Sequence, residues 1–116
     1  MTSALRRHAR VSTLLLALSD PTRLRIVELL RRRELDAGEI AAHFETSRPG
    51  VSRHLRVLRD HGLVRTRSVA QRRIYRLNPG PLRELDRWLE PYRQFWSERL
   101  DALEAHVRTT RAGGDA

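Results

Sequence analysis

The stretch SRPGVSRHLRVLRDHGLV, residues 47 to 64, gathers four arginines, two histidines and two serines on one short amphipathic segment. On a helix advancing about 100° per residue, Val51, Leu55 and Leu58 fall within about 60° of one another and form an inward stripe. Arg53 lies nearly opposite, flanked by Pro49, Ser52 and Arg56. The chemistry of such a face is binding. A planar guanidinium donates a bidentate pair to guanine O6 and N7, or to a phosphate. Arg53 is therefore the expected base reader, with Arg48 and Ser52 beside it near the helix start. Arg56 lies further along and suits phosphate, which positions a protein without specifying sequence. His54 is expected to add a polar DNA contact. Ser47 or Arg48 caps the helix, Pro49 fits its first turn, and Gly62 ends it.

Other chemistries find less support. The chain has no cysteine, so disulfides, thiolate metal sites and cysteine nucleophiles are excluded. His54 and His61 share a helix edge, but two imidazoles without a third ligand make a weak metal site. No paired carboxylates flank an apolar cleft, and no glycine-rich loop precedes a helix. Ser52 and His54 point roughly 160° apart on a helix, so they do not form a nucleophile–base pair. No catalytic residue, metal or cofactor is expected.

The elements that must hold the basic helix follow from capping and period. Residues 4–18 form a first helix. Asp20 and Pro21 start a second, running to Arg33, with Leu24, Val27 and Leu30 inward and Ile26 and Leu29 flanking. Asp36 caps a short third helix, in which Ile40 and Phe44 face the core, and ETS makes a tight turn into the fourth. After Gly62 the period becomes two: LVRTRSV and RRIYRLN read as strands joined around Ala70 and Gln71. A last helix spans 81–107, with a kink or restart at Pro91. The order α-α-α-α-β-β-α is mainly helical with a small β-hairpin, a winged helix-turn-helix. A single domain is expected over 1–108: a helix-turn-helix at 36–61, a wing at 63–77, and dimerisation helices at 4–18 and 81–107. Residues 109–116 read as a frayed tail. On the hairpin, Arg72 and Arg73 flank the turn and are the expected wing contacts. Arg65, Arg67 and Arg76 fit either DNA or a solvated sheet face.

The 116 residues carry 23 basic and 14 acidic groups, a net charge of +9, and every basic side chain apart from histidine is arginine. That balance attracts a polyanion. The N-terminal run TLLLAL is too short to span a membrane, and the absence of cysteine fits a reducing cytoplasm. Trp88, Tyr92, Phe95 and Trp96 gather on the last helix. With Leu14, Leu85, Leu89 and Leu103 they are read as a seam between two copies, where aromatics supply buried area; a ligand pocket is the other reading.

ALSDPTRLRIVELL, ELDAGEIAAHF, SRPGVSRHLRVLRDHGLVRTRS and RRIYRLNP resemble, in that order and spacing, the ArsR/SmtB family of winged-helix transcriptional repressors. The likeness covers residues 12–80. The tail LRELDRWLEPYRQFWSERLDALEAHV resembles the last helix of a branch often encoded beside SRPBCC-fold (START-like) proteins. The resemblance implies a homodimer, joined through its first and last helices, that binds imperfect palindromes in duplex DNA, often its own operator. Metal sensing does not carry over. Asp36 and Gly38 stand where arsenic and cadmium sensors have two cysteines. Asp86 is followed two places on by Trp88, and His106 three places on by Thr109, so the zinc and nickel pattern is broken. Relatives commonly turn the wing with Gly-Arg; here the turn is VAQRR, which leaves its geometry open. The expected function is an autoregulating cytoplasmic repressor, with a small-molecule or protein effector left open. The rival reading is a winged-helix module that binds an acidic protein.

Overall fold

The computed structural model describes residues 2–114, in two compact units divided between Leu85 and Asp86. In the first unit, α1 spans Ser3–Leu18, capped by Thr2, whose hydroxyl accepts from Leu5 N at 3.2 Å. It buries Val11, Leu14 and Ala17, one turn apart each. Leu14 is 0% exposed. It is therefore a core residue, and the expected place for it in a seam between copies is corrected: a side chain sealed within its own domain has no surface to offer.

Helix α2, Pro21–Arg32, starts as its sequence requires. Asp20 Oδ2 accepts from Arg23 N at 3.0 Å, and Pro21 fills the first position, where no donor is needed. Its buried residues are Ile26, Leu29 and Leu30, spaced i, i+3, i+4. Leu24 precedes Ile26 by two places, about 200° around the helix. It is 44% exposed, contrary to its expected inward position.

A strand absent from the expected order follows. β1 is only Leu35–Asp36, and it pairs antiparallel with β3, Leu35 opposite Tyr75 and Asp36 opposite Ile74. Two residues are too few to display a period. The sheet therefore has three strands, ordered β1-β3-β2, with β2 at Val64–Val69 and β3 at Arg72–Leu77. Ile74 and Tyr75 point to opposite faces yet both are buried, so the central strand is covered on both sides.

Helix α3, Ala37–Ala41, is shorter than expected, and Phe44 lies beyond it, half-buried. Helix α4, Arg48–Asp60, ends at Gly62, whose φ of +73° an L side chain rarely adopts. Asn78, just past β3, donates its amide to Gly62 O at 2.7 Å, tying the end of α4 to the end of the wing.

Helix α5 spans Pro79–Gly114. Its first part closes the winged-helix unit, where Leu85 is buried; like Leu14, Leu85 is corrected from seam to core. The helical assignment continues through Pro91 with no restart. Residues 109–114 are helical rather than frayed, and the last two residues of the expected tail lie outside the described residues. In the second unit, Leu89, Tyr92, Phe95, Trp96, Leu100 and Leu103 are all exposed, and Trp88 is half-buried. Arg93 bridges Asp86 and Glu90 at 2.7 and 2.5 Å, and Arg99 stacks 4.5 Å over the Phe95 ring. No helix among the described residues is long and apolar enough to cross a membrane.

Candidate nucleic-acid interface

The two faces of α4 are sharply divided. Val51, Leu55 and Leu58 are buried, which fixes the rotation of the helix and turns Arg48, Ser52, Arg53, Arg56 and Arg59 to solvent. Ser47 is the N-cap, its hydroxyl accepting from Gly50 N at 3.4 Å. Gly50 has a steric reason: an added Cβ would sit 2.7 Å from Thr46 Cγ2. Glycine therefore lets the turn fold against the helix start. Among the described residues, Arg48, Arg53, Arg56 and Arg59 have no ion-pair or hydrogen-bond partner on their side chains. Four guanidiniums held out on one rigid helix, with Asp60 at its C-terminal end the only acid of α4, form a preorganised polyanion site.

His54 does not belong to that face. Its side chain is 25% exposed, and Nδ1 lies 3.7 Å from Asp20 Oδ2 and 3.2 Å from Arg23 Nη1. Arg23 in turn donates from Nε to Ala17 O at 2.6 Å. The expected DNA contact through His54 is corrected: its position on the helix turns the ring back toward the junction of α1 and α2. Asp20 is held below the ordinary carboxyl value of 3.8, first by the Arg23 backbone N–H, then by the nearby charges of His54 and Arg23.

On the wing, the turn is tight. Val69 pairs with Arg72, and Ala70 takes a φ of 56°. This is the left-handed position that glycine fills at little cost in such hairpins. Arg73 is exposed, with no partner among the described residues. Arg65 and Arg76 sit directly opposite each other across β2 and β3. That like-charge pair is unfavourable in the free protein and relieved by an anion. Arg67 pairs with Glu34 at 2.5 Å.

Arg72 is different from its neighbour. Its Nε donates to Asp36 Oδ2 at 2.8 Å and its Nη2 to Glu39 Oε1 at 2.8 Å. The expected DNA contact through Arg72 is corrected accordingly: in the free protein its guanidinium is committed to two carboxylates. These acids also form a capping box, Glu39 N to Asp36 Oδ1 at 2.8 Å and Asp36 N to Glu39 Oε1 at 3.0 Å. The D-x-x-E spacing advertises the box, but the sequence reading singled out only Asp36. The Asp36 carboxyl is pulled below its ordinary range, first by the Glu39 backbone N–H and then by Arg72.

A helix-turn-helix with a bare arginine face beside a basic hairpin is the architecture of duplex recognition, and sequence comparison decides which one. The pattern for "Bacterial regulatory protein, arsR family" matches residues 20–66. The HTH-type transcriptional regulator Rv2034 of Mycobacterium tuberculosis is 43% identical over 99 residues, 85% of this chain and 87% of that protein. The chain belongs to the ArsR family. It is a DNA-binding transcriptional regulator. The transcriptional repressor SdpR of Bacillus subtilis is 37% identical over 73 residues, 63% of this chain and 81% of the relative. Among solved structures, an ArsR-like regulator from Rhodococcus superposes with a TM-score of 0.67 at 32% identity, covering 84% of this chain and 92% of the other.

Within this ArsR-family regulator, the structure brings Ser47, Arg48, Ser52, Arg53 and Arg56 together on α4 and leaves Arg73 free on the wing. It separates His54 and Arg72 from them. Among the described residues, no group of three His, Cys, Asp or Glu side chains is placed to hold a metal ion. His61 bonds its own helix instead, Nδ1 lying 2.9 Å from Val57 O.

Proposed function

We propose that this regulator is a cytoplasmic homodimeric repressor that binds a palindromic operator, with α4 in the major groove and the wing along the adjacent backbone. The observation that carries the reading is the face of α4: Arg48, Arg53 and Arg56 exposed without partners, opposite a stripe that is fully buried. Arg53 reads a guanine edge, Ser52 assists it, and Arg56 and Arg73 neutralise phosphates. The exposed row Leu89, Tyr92, Phe95, Trp96 and Leu103 supports self-association through α5. A second copy supplies the second recognition helix, about one DNA turn away. The reading includes no catalysis. Repression rests on similarity to relatives that carry that name.

The test is fluorescence-anisotropy binding to the DNA upstream of the regulator's own gene, against a scrambled duplex, across a salt series. Preference for the upstream duplex, lost in Arg53→Ala, supports the reading. Equal weak binding to both overturns operator recognition and leaves the acidic-protein reading.

A further inference from the structure

We propose that Arg72 is a positioning residue of DNA binding, clamping the wing tip to the first turn of the helix-turn-helix through Asp36 and Glu39, and that it is not itself a DNA contact. The inference rests on the reading that α4 and the wing meet DNA together.

The clamp extends the sheet. β1 stops pairing at Asp36 opposite Ile74. Arg72 lies two residues further toward the tip of β3, on the same side of the strand as Ile74. Beyond the last backbone pair, its side chain carries the connection on. Asp36 divides its two oxygens between two tasks, while Glu39 serves both with one oxygen and turns the other to Arg33 Nη2 at 3.7 Å. Asp36 Oδ1 caps α3, while Oδ2 lies 2.8 Å from Arg72 Nε and 2.7 Å from Nη2. Glu39 Oε1 accepts from both Asp36 N and Arg72 Nη2. One planar fork thus spans both acids of a capping box, a geometry lysine cannot reproduce. Its neighbour Arg73 points to the other side and is free. The alternation of β3 gives one arginine to the protein and one to the solvent face.

The Arg72 side chain is 56% exposed, and exposed ion pairs add little to overall stability. The clamp therefore acts on where the wing tip sits relative to α3 and α4, more than on whether the chain folds.

The two roles predict opposite signs for one experiment. Asp36→Asn with Glu39→Gln keeps the cap, since asparagine and glutamine serve a capping box, but removes both charges that hold Arg72. If Arg72 is a phosphate contact restrained by these acids, neutralising them frees it and tightens binding. If it is a clamp, the same change weakens binding. Full-length protein is titrated with the upstream duplex and a scrambled duplex of equal length, at several salt concentrations, with thermal melts alongside. The expected result is a loss of about threefold to tenfold in affinity for Arg72→Ala and for the double variant alike. The slope of log K against log salt stays unchanged, the melting temperature is nearly unchanged, and combining all three substitutions brings no further loss. A slope reduced by about one in Arg72→Ala, or tighter binding by the double variant that disappears when Arg72→Ala is added, overturns the clamp in favour of a phosphate contact; tighter binding that persists without Arg72 overturns the clamp and assigns the gain to Arg33, which Glu39 also faces at 3.7 Å. Unchanged affinity in both variants overturns it outright. Arg53→Ala is run in parallel: if it leaves base preference intact, the reading of α4 fails while the Arg72 comparison remains readable on both duplexes.

Discussion

The imidazole Nδ1 of His54 lies 3.2 Å from Nη1 of Arg23, 31 residues earlier in the chain. This contact pins the recognition helix to the start of α2, on the side away from Arg53. His54→Ala is expected to cost about 1 kcal/mol of stability and to leave base preference as it was. Chemical denaturation together with binding to permuted duplexes checks both parts. An altered base preference would put the ring at the DNA.

Asp20 belongs to the same cluster and sets an acid dependence. Its folded pKa is depressed. The stabilisation it provides is therefore complete above its ordinary value of 3.8 and is lost as pH falls through the folded value. Asp20→Asn retains a cap but has no proton to take up. Thermal melts between about pH 5 and pH 2 are expected to fall less steeply for the variant than for the parent. Equal steepness would mean that other carboxylates carry the acid sensitivity.

Specificity and affinity separate between helix and wing. Arg53→Ala is expected to flatten the preference among duplexes. Arg73→Ala is expected to weaken all duplexes alike and to lower the salt slope by about one. The same loss of preference in both would show that the wing also reads bases.

Burial divides the apolar residues that a sequence pattern groups together. Leu14→Ala removes a fully buried side chain and is expected to cost about 2–5 kcal/mol. Trp96 is 59% exposed. Trp96→Ala is expected to change stability by under about 0.5 kcal/mol where no partner covers it, and to weaken self-association in sedimentation equilibrium. Undiminished association would move the seam away from α5.

At the wing tip, Ala70 holds a φ of 56°. Ala70→Gly is expected to relieve about 1 kcal/mol of strain and raise the melting temperature by several degrees. A lower melting temperature would mean that the entropy glycine gains on unfolding outweighs the strain.

What could be read in advance followed local rules. Asp20–Pro21, Asp36 and Ser47 mark helix starts because each cap bonds an amide three residues on. Val51, Leu55 and Leu58 mark a face because a helix repeats its direction within one turn. The features that escaped depend on partners far along the chain. His54 and Arg72 are held against their own chain by Arg23 and Asp36, 31 and 36 residues distant. β1 has no signature of its own and exists only because β3 offers an edge. Leu24 departs from its expected inward place because the five apolar residues of α2 make a face wider than the core covers. The end of α5 differs from the expected tail because threonine and glycine, weak helix formers, continue the helix to Gly114.

The two-residue strand β1 has a consequence for where this protein can be cut. The matched family segment closes at residue 66, before β3 begins at Arg72. A fragment trimmed to that segment would keep every turn of α2, α3 and α4. It would strip Leu35 of its backbone partner, Asp36 of the arginine that faces it, and the apolar residues at the start of β2 of their cover. The shortest piece that preserves the DNA-reading geometry must therefore run on through Leu77, and through Leu85 to include the side chain that seals the unit. During synthesis, the recognition helix leaves the ribosome well before the strand that steadies its neighbour, and for that interval its row of arginines belongs to an unfinished fold.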